Sequence, residues 1–294
     1  MRSRVYVRFF IPIVIWFMLF LRTAAGLPLQ NEKLSIRSFN QNSEPVRQSE
    51  RMLQAGEELE YSVHYSFFHI GTIRFKVTNK EERNGKVIYH ACAIMDSNPS
   101  LSWLVDLHIR FYSEMDQDAF TYQWLSEDST SKKTTYRKMR FDYEAHKMYF
   151  EWGNKLKTNE YKKEGERIVT ITNNCQDGLS LFYYARAHVR EKNQTKIPTF
   201  IDTNEVTTHI NFGIEHLEED IDAVDYPIDV MKLDGRADFV GVFGLTGGFE
   251  GVFSNDAAGI PMTARMKVIL GSIKVELKNW KRDNWIPPRT ANEK

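Results

Sequence analysis

Asp177, Ser180 and His188 come nearest to a catalytic set: an acid, a hydroxyl and an imidazole in one short segment, the inventory of an acyl-transfer triad. The surrounding pattern excludes that chemistry. A nucleophile elbow needs Gly-x-Ser-x-Gly on a strand-to-helix turn, and Phe182 stands where the last glycine belongs. Helical spacing also puts all three residues on one helix, where they cannot orient one another. The glycine-rich stretch Gly241-Val-Phe-Gly-Leu-Thr-Gly-Gly-Phe-Glu-Gly251 has neither the Gly-Lys-Ser/Thr of a phosphate loop nor a helix after its glycines. It reads as a turn and bulge at a sheet edge.

Metal chemistry is equally thin. Glu218-Glu219-Asp220-Ile-Asp222-Ala-Val-Asp225 offers hard oxygen ligands but lacks the glycine and distal glutamate of a calcium loop, so it reads as a solvated loop. His64, His69 and His90 fall on neighbouring strands without zinc spacing. Arg74, Lys76, Arg137, Arg140 and Arg265 alternate with apolar neighbours, as on a solvated outer sheet face. Cys92 and Cys175 are the two cysteines. In an oxidising compartment they are a disulfide candidate; the alternative is a pair of buried thiols. The expected catalytic, cofactor and metal sets are therefore empty.

These residues sit in a chain dominated by period-two alternation. Leu59, Tyr61, Val63, Tyr65 and Phe67 alternate with Glu58, Glu60, Ser62, His64 and Ser66, the mark of a strand with one buried face. A turn is expected at His69-Ile70-Gly71, a second strand through Ile73, Phe75 and Val77, and a hairpin at Asn84-Gly85. Further strands are expected over 86–95, 107–115, 133–143, 147–152, 167–172, 206–215, 226–233, 248–253, 261–270 and 272–278, with a short helix in 98–106. One segment breaks the pattern. From 178 to 190, Leu179, Phe182, Tyr183 and Arg186 share one helical face, and Asp177 is placed to cap the first turn.

The N-terminus predicts an address. Arg2, Arg4 and Arg8 precede an uncharged run from Phe9 to Leu21, and Thr23-Ala24-Ala25-Gly26 follows. That order fits a cleaved secretory signal over 1–26 better than a membrane span, and no cysteine near its end supplies a lipoprotein anchor. Removing 1–26 takes four arginines and no acid from 39 basic and 39 acidic residues, leaving 35 against 39 and a net charge of −4. That balance argues against nucleic acid as a partner. Residues 27–55 are polar and aperiodic, as in a flexible leader.

Three pieces carry a resemblance. Gly56-Glu57-Glu58-Leu59-Glu60-Tyr61 with Ile70-Gly71, then Asp177-Gly-Leu-Ser-Leu-Phe-Tyr-Tyr-Ala-Arg, then Ser254-Asn-Asp256-Ala-Ala-Gly-Ile-Pro261 with Gly271-Ser272-Ile273, occur in one order. In this the chain resembles exported bacterial proteins of domain-of-unknown-function family 3108 (DUF 3108). Phe253 stands where the family leads one to expect tryptophan, and Ala185 replaces a bulkier residue. The resemblance implies an exported, β-rich protein and brings no catalytic set or cofactor. Gly56, Tyr61, Gly71, Asp177, Ser180, Asp256, Pro261 and Gly271 are the structural signature it marks.

The fold expected is mainly β: a large, strongly curved antiparallel sheet or partly open β-barrel with one or two packed helices, as one domain over 56–285 and a tail over 286–294. The expected function is non-enzymatic binding of an apolar or lipid-like ligand in a bacterial periplasm or outer envelope. Membrane contact would run through the signal segment or peripherally. An enzyme acting on envelope polysaccharide and a structural partner in the envelope are the alternatives; the first needs two carboxylates converging in a cleft.

Overall fold

The opening alternation builds strand β1, Glu58–Tyr65, with Leu59, Tyr61 and Val63 buried on one face. The chain then turns earlier than its alternation suggests. Ser66 adopts φ 54° and Phe67 is 80% exposed, so Ser66-Phe67 is the hairpin turn. Strand β2, Phe68–Arg83, runs through the turn expected at 69–71. Gly71 lies inside it because a Cβ there would stand 2.5 Å from the Asp96 carbonyl oxygen.

In the computed structural model, residues 52–102, 106–237, 247–267 and 271–290 are described, within a unit bounded as Val46–Lys294. The expected signal segment and most of the leader lie outside them. The remaining strands are β3 Lys86–Ser97, β4 His108–Asp116, β5 Thr121–Ser129, β6 Thr134–Asp142, β7 Lys147–Lys155, β8 Tyr161–Thr170, β9 Gln194–Ile201, β10 Asn204–Glu219, β11 Ile228–Ala237, β12 Gly247–Ser254, β13 Pro261–Lys267 and β14 Ser272–Lys281. Helix α1 spans Gly178–His188, and Pro99–Leu101 forms a single 3-10 turn where a short helix was expected. Among the described residues, all fourteen strands form one antiparallel sheet in the order β8-β7-β6-β5-β4-β3-β2-β1-β14-β13-β12-β11-β10-β9.

The sheet curls without closing into a ladder. Its two ends meet through side chains and a strap. The outward Phe200 of β9 packs edge-on to the inward Phe141 of β6, with ring centroids 5.7 Å apart, and Arg137 meets Asp202 at 3.1 Å. Between them, Thr121 donates its N–H to Cys175 at 3.0 Å, Gln176 donates to Pro198 at 3.1 Å, and Phe200 donates back to Gln176 at 2.9 Å. The free edges are blunted. β8 is a run of exposed charges, Lys162, Lys163, Glu164, Glu166 and Arg167, and β9 carries Pro198, which an edge strand tolerates.

Helix α1 lies across one end of the curl, the end that also holds the 171–177 strap, the entry to β1 and the β12–β13 loop. Leu179 and Tyr183 join Val77, Tyr89, Ala91 and Met115. Ala185 and Val189 join Ile197, Phe212, Leu233 and Phe253 on the other wall. At about 1.5–3 kcal/mol for each large apolar side chain removed from water, these contacts hold the helix in place. Two boundaries shift. Met52 and Leu53, read as leader, are buried in the core, and the tail docks, with Asp229 donating to Pro288 at 2.9 Å and Arg289 over the Tyr226 ring at 4.1 Å. The acidic segment after β10 folds onto the outer face: Ile221 is buried, and Asp222 donates its N–H to Glu276 at 3.1 Å.

Candidate functional site

The helix end is built around one buried carboxylate. Gly56 takes φ 88° and donates to the Val77 carbonyl at 2.7 Å, which turns the chain so that Glu57 points inward at the start of β1. Arg186 reaches Glu57 from α1 as a fork, at 2.6 and 2.9 Å, and also donates to Ala258 O at 3.1 Å. Arg282, just past β14, binds the same carboxylate and donates to Met52 O at 3.1 Å. Glu57 and Arg186 are both inaccessible to water. Tyr61 and Tyr183 lie beside this cluster; burial pushes both phenols well above their ordinary range, and neither hydroxyl has a hydrogen-bond partner among the described residues.

The β12–β13 loop completes that end. Asp256 Oδ1 accepts from Ser254 Oγ at 2.8 Å, Ala258 N at 2.9 Å and Gly259 N at 3.1 Å, while Oδ2 accepts from Trp285 Nε1 at 2.7 Å. Gly259 has φ 52°, and a Cβ there would sit 2.3 Å from the Arg186 carbonyl oxygen. Pro261 is the first residue of β13, where no N–H is required. At the start of the helix, Asp177 and Ser180 form a reciprocal cap, and Asp177 also accepts from Ser113 at 2.6 Å and Thr121 at 2.8 Å. Burial raises the Asp177 carboxyl pKa, and these hydrogen bonds oppose the rise.

Six signature residues, Gly56, Tyr61, Asp177, Ser180, Asp256 and Pro261, thus serve the packing of α1 and its surroundings. Gly71 and Gly271 lie toward the opposite end; Gly271, at φ 88°, sits beside the Tyr65 ring. Arg186 stood out in sequence only as a charge on an apolar helical face, which requires a buried counter-charge. Nothing local singled out Arg282.

Other candidates disperse. Cys92 and Cys175 are free and buried, not paired. Cys92 alternates with the inward Ala91 and Ala93, so it points to the outer face opposite Lys76 and Tyr112, whereas Cys175 packs inside with Met139 and Phe200. Burial pushes the Cys175 thiol up to about 12. His64 and His69 lie with ring centroids 5.3 Å apart and planes tilted by 55°, while His90 lies near Glu81 and Glu114. The glycine-rich stretch is not at a sheet edge: its described part, 247–251, belongs to β12, an interior strand whose bulge falls just past it at Val252/Phe253, and 238–246 lie outside the described residues. The alternating cations are partnered: Arg74 with Asp96 at 3.3 Å, Lys76 with Glu58 at 2.9 Å, Arg265 with Glu250 at 3.6 Å, and Arg140 over Tyr149 at 4.2 Å. An outer groove of about 170 Å³ between Leu217 and Arg265 is bridged by its own charges, Lys232 to Glu250 at 3.2 Å.

What the sequence reading missed is the concave face. Phe75, Ala93, Phe111, Ser126, Arg137 and Trp152 stand opposite one another across six strands, with Trp124 one row below. Phe111 stacks near Trp124 at 5.8 Å, and Phe182 of α1 lies flat on Phe75 at 4.0 Å. These aromatics point inward yet Phe75, Phe111, Trp124, Trp152 and Phe182 all keep partial exposure, unlike the inward residues at the helix end. Phe249 and Met266 do the same on the opposite wall. This concave aromatic face is the candidate site.

Residues 60–278 match the family described as "Protein of unknown function (DUF3108)". The chain belongs to the DUF3108 family. Among curated proteins, no sequence matches this DUF3108 chain. Among solved structures, it is similar to the crystal structure of a β-barrel-like protein of DUF1849 from Brucella abortus, with a TM-score of 0.53 and 9% identity over 78% of this chain and 99% of that one. At that identity the likeness is one of fold.

Proposed function

We propose that this DUF3108 protein is a non-enzymatic carrier or sensor of an apolar, lipid-like ligand, held on the concave aromatic face and exported to a bacterial envelope by its N-terminal segment. The observation that carries the reading is the row Phe75–Phe111–Trp152 with Trp124 and Phe182, inward-facing and only partly covered. Large aromatics that point into a curled sheet and stay partly exposed offer apolar surface to a ligand, and a ligand chain recovers about 0.8 kcal/mol for each CH₂ it buries there. The described outer-face acids of β1, β3 and β12, by contrast, are taken up in ion pairs with neighbouring cations.

The test is solvent extraction and mass spectrometry of the purified full chain and of Trp152→Asp, which sets a carboxylate against the aromatic row. A lipid or fatty acid retained near one per folded chain, and lost in the variant, supports the reading. Oligosaccharide turnover without a retained lipid would favour the enzyme; neither, with a stable complex of envelope proteins, would favour the assembly partner.

A further inference from the structure

The two ends of the curled sheet differ in chemistry. At the helix end the exposed charges are of both signs: Asp118, Glu144, Glu218, Asp220, Asp222 and Asp225 stand with Lys80, Arg83, Lys86, Lys147, Arg190 and Lys192. The opposite end carries the β1–β2, β5–β6 and β7–β8 turns, as the strand order and directions require. Its first turn exposes two adjacent aromatics, Phe67 at 80% and Phe68 at 52%, with ring centroids 4.2 Å apart. Nothing in β1 or β2 covers them, although a hairpin turn ordinarily takes polar residues. Thr134 pairs with Lys155, which brings the β5–β6 and β7–β8 turns together as one corner. That corner exposes Lys132, Lys133, Lys157 and Lys162 around Leu156, and no described carboxylate pairs with any of the four lysines. Glu160 and Asp128 are the acids among them.

We infer that this end docks on a lipid bilayer bearing anionic headgroups, with Phe67 and Phe68 entering the interface and the lysine corner meeting phosphates. Adjacent aromatics on a hairpin tip bury apolar area at the headgroup boundary, and each lysine near an anionic surface adds attraction. The occupant is a bilayer because this end sets an exposed aromatic pair and a cluster of four exposed lysines side by side, apolar surface for the interface and charge complementary to its headgroups. A ligand could then pass between bilayer and concave face without crossing water. That last use rests on the proposed lipid-like ligand; the docking itself does not.

The experiment places an environment-sensitive NBD label at Phe67→Cys in the full chain, with Glu144→Cys at the helix end as the control. Each is mixed with vesicles of phosphatidylcholine with or without phosphatidylglycerol. Because the label reports its own surroundings, attachment through the N-terminal apolar segment does not mimic the result. The expectation is a blue-shifted, brighter label at 67 with phosphatidylglycerol, an unchanged label at 144, and binding weakened about tenfold or more when Lys132, Lys157 and Lys162 are changed to Glu. A label at 67 that stays in water, changes equally at both positions, or shifts with protein concentration in the absence of vesicles would overturn the inference, the last by making the tip a contact between copies. Insertion at 67 with no lipid ever retained by the purified chain would uphold docking and remove the carrier reading. Retained lipid with no insertion would do the reverse.

Discussion

Glu57→Gln removes the one carboxylate that Arg186 and Arg282 share, leaving two guanidinium groups beside each other in a site closed to water. Breaking one side of a buried pair costs about 3–5 kcal/mol, because the remaining charge stays buried without compensation. Arg186 loses its carboxylate partner with no water to replace it and Arg282 loses its share of the same carboxylate, so the upper end of that range applies. Arg186→Met is milder, at about 2–4 kcal/mol, since Glu57 keeps Arg282 and the methionine fills part of the space. In Glu57→Gln/Arg186→Met, one arginine remains in place of two, so the loss falls short of the sum of the single losses by about 2 kcal/mol or more. Urea unfolding followed by tryptophan fluorescence measures all three, at fixed pH and with the m-value checked for two-state behaviour. At roughly 2–4 °C per kcal/mol for a domain of this size, each single change also shows in Tm. Losses under about 1 kcal/mol that simply add would refute the reasoning, because they would mean that water reaches the cluster.

Three further changes probe neighbouring parts of the helix end. Burial lifts the Asp116 carboxyl to about 6 against the N–H groups of Phe120 and Asp118, so the fold favours its neutral form; that contribution is full below about pH 4 and is lost as pH rises through 6. Asp116→Asn therefore gains about 1–3 kcal/mol over wild type at pH 8 and little at pH 4, and a gap that does not narrow on acidification would contradict the assignment. Asp256→Ala and Gly259→Ala each lower stability by about 2–4 kcal/mol, the first through lost N–H acceptors and the second through a Cβ against the Arg186 carbonyl at positive φ, while ligand held per folded molecule stays constant. A stable Asp256→Ala that loses ligand would make Asp256 part of the binding site.

The legible parts of this chain were those where one physical rule acts alone. β1 declared itself because its inward residues are apolar and its outward ones polar, and α1 because Asp177 starts a segment of different period. The β12–β13 loop was readable because Asp256, Gly259 and Pro261 each have one best use there. β5 was hidden because its inward face carries Thr121, Ser126 and Asp128 around a lone Trp124, so no apolar alternation exists to find. β8 was half hidden because an edge strand exposed along its length needs no buried face, and β9 because Pro198 argues against a strand until it is known to lie at an edge. The turn at Ser66-Phe67 was misplaced because its aromatic residue continues the pattern of the strand it ends. The candidate site is a property of curvature: which inward aromatics are buried by α1 and which are left uncovered depends on where the helix crosses the sheet.

Photolabelling reads out where on the sheet the ligand is held. A long-chain fatty acid carrying a terminal diazirine, bound to the purified chain and irradiated, is expected to give saturable adducts on peptides holding Phe111, Trp124, Trp152 and Phe182, competed by unlabelled fatty acid and lost in Trp152→Asp. Labelling that does not saturate, or that falls on outer-face residues such as Leu217 and Val252, would contradict a ligand held on the concave face.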